Sequence, residues 1–347
     1  MNVQFDPLTD EYSSAEHVEI RPVDFGGVNG FTYLDPAYPK ETDRFGSAIQ
    51  HLQQMGYEVG KNLFGAPYDF RLSGPTNVKK LGYFKDLKQL IEKAYTLNQK
   101  RVFLLGHSFG CTLIHHFLTS YISEEWKKQY IEGFISINGP FGGAVECFTY
   151  ITGYKKWAVP GISSEESYNT IKYMAPYYLL LPNKYGFDEE NDVIAEIPSL
   201  NITITPKNMS WVFESTAANN VKLFRDEIKA PQVKSFIFIC TGLDTIAQMV
   251  YNQSSHINNN NQVNENRVDE QEQWWKTEGA EIKGDGDSSV NTKSLRVPHL
   301  WRKLQEEPVI IKEYAGADHS GILKDIRFLS DLEMILINNK NDDEMEL

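Results

Sequence analysis

Short apolar runs alternate with longer amphipathic stretches through most of this chain. Val102 to Leu105, Gly133 to Ile137, Ser235 to Thr241 and Val309 to Tyr314 read as buried strands, since each is a brief apolar run bounded by turn residues. Between and around them, apolar residues recur at helical spacing. Phe45, Ile49, Leu52 and Met55 do so within 44–57; Leu81, Phe84, Leu87, Leu90, Ile91 and Ala94 within 80–97; Leu323, Ile326, Leu329, Leu332 and Ile335 within 323–336. Leu63 to Pro67 predicts one more short strand, and Val18 to Pro22 a short extended segment. Strands alternating with helices of this length predict an α/β fold: a mostly parallel sheet with helices on both faces.

The alternation stops after Gly143. From Cys147 to about Ser215 aromatics, prolines and glycines crowd the chain, among them Trp157, Tyr173, Tyr177, Tyr178, Tyr185 and Phe187. This predicts an inserted cap over the sheet, whose aromatics either wall an apolar cleft or pack within a second subdomain. The expected organisation is a first core part over 1–146, a cap-like insertion over 147–218, a second core part over 219–337 and an acidic tail over 338–347. An Asn-rich, polar stretch at about 252–272 reads as a disordered surface insert.

The strand at Val102 runs into Gly106-His107-Ser108-Phe109-Gly110, and a helical segment, Cys111 to Leu118, follows. This is G-x-S-x-G in the strand–turn–helix setting of a nucleophile elbow, which holds Ser108 in a strained turn with its hydroxyl projecting from the sheet edge. Side chains at both flanking glycines are expected to clash across the turn. A serine hydroxyl needs a histidine to take its proton and a carboxylate to fix the histidine's tautomer. In this fold they follow in the order serine, acid, histidine. Of the eight histidines, His319, in Ala315-Gly316-Ala317-Asp318-His319, stands directly after the last strand, where the base belongs. His107 lies inside the elbow, turned away from that role, and His115 and His116 ride the next helix. His256 falls in the polar insert and His299 before the last strand. Asp287, three residues before Val290, best fits the acid; Asp285 is its rival and otherwise braces the loop, while Asp244 ends a strand and caps or lines the cleft. The N–H of Phe109 supplies one oxyanion donor. The other belongs on a loop after an earlier strand, and the only upstream glycine pair, Gly26-Gly27, lacks an apolar strand before it.

Bulk properties narrow the partners. The 347 residues carry a net charge of −13, which argues against nucleic acid, whose phosphates need a basic face. A hydrophobic content of 41% with 12% aromatics is that of a globular chain, and no run of about 18 apolar residues predicts a membrane span. The polar, acidic N-terminus does not read as a signal peptide. Three cysteines, Cys111, Cys147 and Cys240, are too few and too scattered for a disulfide framework. Sequons at Asn201, Asn208 and Asn252 point mildly to a secretory route and to a glycoprotein.

Ala66-Pro67-Tyr68-Asp69-Phe70-Arg71-Leu72 resembles the APYDWRL signature of the lecithin:cholesterol acyltransferase family, which includes the lysosomal phospholipase A acyltransferases and phospholipid:diacylglycerol acyltransferase. Gly-His-Ser-Phe-Gly-Cys around Ser108, Gly133 to Gly143, Gly284 to Val290, Asp318-His319, Val18 to Pro22 and Tyr33-Leu34-Asp35 match in order along nearly the whole chain. The resemblance implies an α/β-hydrolase enzyme with Ser108, Asp287 and His319 as its triad. Such enzymes move a fatty acyl chain from a glycerophospholipid to a lipid alcohol or to water, with no metal and no cofactor. It also implies peripheral contact with a membrane or lipid-particle surface and a lysosomal or extracellular location. Asp69 and Arg71 are expected to pair structurally, bracing the cleft.

Two departures from the family stand out. Cys240 matches one member of its late cysteine pair, but no cysteine stands near Val297, so that disulfide is expected to be absent. Relatives also carry a targeting segment, an apolar strand with the second oxyanion loop, and a lid, all ahead of the region matched here. Met1 is therefore expected to be an internal residue of a longer protein, which an N-terminal peptide starting at Met1 would refute. The rival readings are a plain lipase or phospholipase, a lipid-binding protein impaired by the missing strand, and an α/β interaction domain.

Overall fold

The computed structural model describes residues 3–6, 11–14, 16–33, 35, 37–40, 42–72, 81–156, 162–209, 229–251 and 279–345. The polar insert at about 252–272, Trp157, His256 and Asn252 lie outside them. The chain opens with an antiparallel pair, β1 (Val3–Asp6) and β2 (Glu11–Ser14). The central parallel sheet is built from β3 (Val102–His107), β4 (Ile131–Ile137), β7 (Ser235–Thr241) and β10 (Val309–Ala315), in the order β10-β7-β4-β3. A second sheet, in the order β6-β5-β8-β9, joins β5 (Ala195–Ile197), β6 (Ile202–Ile204), β8 (Leu243–Tyr251) and β9 (Gly279–Gly286).

Alternation along the strands sorts the core into two faces. Phe134 of β4, Ile237 and Ile239 of β7 and Leu104 of β3 pack on one side with Phe84, Leu87 and Ile91 of helix Tyr83–Asn98 and with Leu113 and Phe117 of helix Phe109–Ser120. Ile135, Ile137, Phe236, Phe238 and Cys240 point the other way, onto Ala48 and Leu52 of helix Gly46–Gln54 and Phe328, Leu329 and Leu332 of helix Ile326–Met345. This is the parallel sheet covered on both faces that the apolar periodicity implies. The closing helix continues to Met345, through most of the acidic tail.

Two expected extended segments do not form strands. Residues 18–22 are exposed and irregular. At Leu63 the N–H groups of Lys61, Asn62 and Leu63 all turn back on the Glu58 carbonyl, and only an isolated bridge, Val59 to Leu63, remains. An apolar run becomes a strand only beside a partner that takes its N–H and C=O groups. The sheet ends at β3, and no described strand pairs with the other side of β3. Leu243 to Tyr251, in contrast, form a nine-residue strand, where the sequence pattern places only a strand end at Asp244. Its alternating partners lie on β9, a chain segment some 30 residues away that a local reading does not see.

Between the two halves lie helices Val145–Ile151, Ser164–Ile171 and Ala175–Leu179. The second carries a full capping box, with Ser163 and Glu166 satisfying each other's backbone N–H. β5 and β6 follow, and β5 runs parallel to β8.

Candidate active site

Ser108 sits where β3 ends and helix Phe109–Ser120 begins, at φ 54° and ψ −127°. A non-glycine residue rarely holds a positive φ, and that strain persists only where surrounding bonds enforce it. Here the Ser108 N–H donates to the Ile137 carbonyl of β4, 2.9 Å away, and its own carbonyl accepts the Cys111 N–H at 2.9 Å. The two flanking glycines differ. A Cβ on Gly106 would stand 2.9 Å from Ile114 Cδ1 and 3.0 Å from the Cys111 amide nitrogen, so a side chain there does collide. A Cβ on Gly110 would meet only Tyr68 Oη at 3.8 Å, an ordinary contact, so the expected clash at Gly110 is absent. Sequence reasoning treated both glycines alike because it does not show which side of the turn is open.

Ser108 Oγ lies 2.8 Å from His319 Nε2, and His319 Nδ1 lies 2.6 Å from Asp287 Oδ2. The fold thus brings together three residues from the ends of three separate segments. His319 stands on the hook after β10, which turns at Gly316 (φ +77°) and is tied by the Gly316 N–H to the Thr241 carbonyl of β7. Asp318 holds the next turn by accepting the N–H groups of Ser320 and Gly321.

Asp287 is fully buried, and its loop explains how. Its Oδ1 accepts the N–H groups of Ser289 (3.0 Å) and Val290 (2.7 Å), and Val290 is itself buried. Ser288, at φ 80°, anchors its N–H on Thr245 Oγ1. That leaves Oδ2 facing the imidazole. Asp285 has different work: its Oδ1 accepts the Gly242 N–H and its Oδ2 the Thr292 hydroxyl, clamping β9 to both neighbouring turns. Asp244 is exposed on β8, opposite Asp285 in the ladder.

Phe109 is the first residue of its helix, so its N–H has no carbonyl one helical turn back to accept it. Of the upstream pair, the Gly26 N–H bonds the Gly65 carbonyl and the Gly27 N–H bonds the Asp24 carbonyl. Neither is available as a second oxyanion donor. Asp69 and Arg71 form a buried bidentate pair, with Nε to Oδ1 at 2.9 Å and Nη2 to Oδ2 at 2.6 Å, and Arg71 also reaches Ser14 Oγ.

No cysteine competes with the serine. Cys111 and Cys240 are buried free thiols, and burial pushes both up to about 12, so they stay protonated. Cys147 is also buried and outside any disulfide, and at the late-pair position Val297 is buried. Among the described residues no group of three or more His, Cys, Asp or Glu side chains stands close enough to hold a metal ion. Two groups at the site escaped the sequence reading: the Asn138 side chain, and the inward contact of His107 with the His319 loop.

A serine at a strand–helix elbow, a late histidine and an acid on an intervening loop, set against a parallel sheet, define an α/β-hydrolase. The family model described as "Lecithin:cholesterol acyltransferase" matches residues 1–223 and 207–328, and the chain belongs to that family. It is 28% identical over 316 residues to the phosphatidylcholine-sterol acyltransferase of Gallus gallus, covering 88% of this chain and 70% of that protein. It is 27% identical over 338 residues to lecithin-cholesterol acyltransferase-like 1 of Arabidopsis thaliana (94% and 72% covered). To the lysosomal phospholipase A and acyltransferase of Homo sapiens it is 25% identical over 327 residues (92% and 73%). The chain is an enzyme of this acyltransferase and phospholipase class.

Proposed function

We propose that this protein transfers a fatty acyl chain from a glycerophospholipid, through an ester on Ser108, to a lipid alcohol such as a sterol or to water. The observation that carries the reading is the unbroken line Ser108 Oγ, His319 Nε2, His319 Nδ1, Asp287 Oδ2, at 2.8 and 2.6 Å. His319 takes the Ser108 proton as Oγ bonds to the ester carbonyl carbon, and the carbonyl oxygen gains the charge that the Phe109 N–H stabilises. The carbon–oxygen bond to the glycerol then breaks, and His319 returns its proton to the departing lysophospholipid oxygen. The acceptor hydroxyl enters, loses its proton to the same imidazole and carries the acyl group away as Ser108 regains its hydrogen. Asp287 holds the imidazole so that Nε2 is unprotonated in the resting enzyme and the imidazolium is favoured once formed.

The relatives' names support a phospholipid donor, and one of them supports a sterol acceptor. Among the described residues no helix is long and apolar enough to cross a membrane, which is compatible with an enzyme that meets its lipid at a bilayer or particle surface. We place it on the secretory pathway, in a lysosomal or extracellular setting, a reading that the name of the lysosomal relative supports. Asn201 and Asn208 are exposed, as glycan attachment requires.

The test is direct. Folded protein should be labelled by a fluorophosphonate, the adduct should map to Ser108, and Ser108→Ala should remove it. Phosphatidylcholine vesicles with and without sterol should then yield steryl ester in the first case and free fatty acid in the second. Folded wild-type protein that does not label refutes the mechanism and leaves an inert lipid-binding protein. Labelling with fatty acid alone as product, whatever alcohol is added, reduces it to a phospholipase.

A further inference from the structure

Two polar side chains outside the triad converge on one atom of it, the backbone carbonyl oxygen of His319. His107 Nε2 lies 2.7 Å from that oxygen and Asn138 Nδ2 lies 3.1 Å from it. On the other side of the residue, the His319 N–H donates to the Asp287 carbonyl at 2.7 Å. We infer that His107 and Asn138 are positioning residues that fix the backbone of His319, so that its ring stays in line between Ser108 and Asp287.

His319 lies four residues past the end of β10, beyond the last ladder bond of the sheet, on a hook turned by Gly316. Local hydrogen bonds alone would leave its ring free to swing, and the side-chain distances of 2.6 and 2.8 Å demand that it does not. A carbonyl oxygen has two lone pairs, and here both are taken.

The donors are themselves fixed. Asn138 follows β4 in the left-handed region at φ 48°, a conformation that Asn tolerates better than most residues. Its backbone N–H bonds the Phe238 carbonyl and its Oδ1 accepts the Cys240 N–H at 2.8 Å, so the residue is pinned to β7 at two points. The Cys240 N–H can only donate, which assigns oxygen to that side of the amide and leaves the NH2 for His319. His107 is the last residue of β3 and the direct neighbour of Ser108. Its ring lies 4.9 Å from the His319 ring, and Phe45 meets it edge-on at 6.2 Å. Because a carbonyl only accepts, His107 must carry its proton on Nε2. Burial lowers its pKa to about 3, with the nearby His319 adding to the effect, so it stays neutral and does not oppose an imidazolium on His319. The residue before the nucleophile thus grips the backbone of the base, 212 positions along the chain.

The inference rests on the serine-hydrolase reading proposed above, and the experiment separates the two. Fluorophosphonate labelling of wild-type protein at Ser108 is established first, since its absence sinks that reading and not the clamp. Hydrolysis of p-nitrophenyl butyrate is then compared in wild type, His107→Phe, which keeps a ring against Phe45 but has no donor, and His107→Gln, which restores one. His107→Phe should lower kcat about 10-fold with KM unchanged, the kinetic equivalent of one hydrogen bond, and His107→Gln should recover most of it. A merely structural role would lower the Tm of both variants and leave the kcat of correctly folded protein alone. Wild-type kcat in His107→Phe, or equal losses in both variants, overturns the clamp. Should His107→Phe not fold, selectively 15N-histidine-labelled wild-type protein decides. His107 should appear as the neutral Nε2–H tautomer from pH 5 to 8, and an Nδ1–H tautomer or a titration near pH 6.5 refutes the assignment.

Discussion

On the proposed mechanism, replacing Asp287 by Asn should remove one charge and, through the surrounding bonds, the base function assigned to His319. The carboxylate oxygen Oδ1 accepts two backbone N–H groups, from Ser289 and Val290. In Asp287→Asn the amide oxygen must stay on that side, because an NH2 there would face two donors and forfeit both bonds. The NH2 is then directed at His319 Nδ1, now 2.6 Å from Oδ2. It can be received only if Nδ1 is unprotonated, which moves the ring proton to Nε2. His319 then presents an N–H to Ser108 Oγ and cannot take its proton. The equivalent change in a serine-protease triad lowers kcat about 10⁴-fold, and a loss of that order is expected here. Folding should suffer far less. The two backbone bonds survive, and one charge-assisted bond of about 1.5–3 kcal/mol becomes a neutral one. The assay is the rate of fluorophosphonate labelling of Ser108 with a thermal melt of the same sample. Labelling within tenfold of wild type in a folded Asp287→Asn protein would refute the assignment of Asp287, and with it the tautomer argument.

Three other outcomes follow from the geometry. Asp285→Ala releases the Gly242 N–H and the Thr292 hydroxyl together, and should cost about 1–3 kcal/mol in urea unfolding while lowering kcat less than tenfold; a loss as large as that of Asp287→Asn would reverse the roles of the two acids. Arg71→Leu removes the guanidinium countercharge and both of its side-chain bonds from the buried Asp69 carboxylate, and should destabilise the protein by about 3–5 kcal/mol, read as a lower urea midpoint, with a midpoint unchanged from wild type counting against a buried pair. Acidification should also destabilise the fold. Burial holds His107 at about 3 and His115 and His116 at about 4, all below the 6.5 of an exposed histidine. The unfolded chain therefore binds protons at these sites over a range where the native one does not. Their contribution is complete above about pH 6.5 and drains away as pH falls toward 4, by roughly 3 kcal/mol per site at most. Thermal melts flat from pH 7 to 4.5 would contradict it.

The clamp on His319 bears on how such an elbow is read. The two contacts on the His319 carbonyl, together with the bonds from Asn138 to β7, link the ends of β3, β4 and β7 to the loop after β10. Pre-organisation of this kind matters because a misplacement of about 1 Å in a catalytic group can cost two orders of magnitude in rate.

Much of this was legible in the chain itself. The four strands of the central sheet announced themselves as apolar runs, because a strand covered on both faces needs apolar residues at every position. The turn at Ser108 was legible because G-x-S-x-G between a strand and a helix satisfies a local steric demand. Asp287 could be preferred to Asp285 by its distance from Val290, an anchor that is local too. Tertiary structure decided everything that depends on a partner far along the chain. Leu63 to Pro67 has the composition of a strand and is none, since no described strand lies beside it. Leu243 to Tyr251 extends as a strand because β9 arrives from beyond the polar insert to pair with it. His107, set aside by its position in the elbow, acquires its contact only when His319 folds over from 212 residues away. Local propensity depends on neighbours in sequence, whereas pairing, burial and the direction of a hydrogen bond depend on neighbours in space, and only the folded chain supplies those.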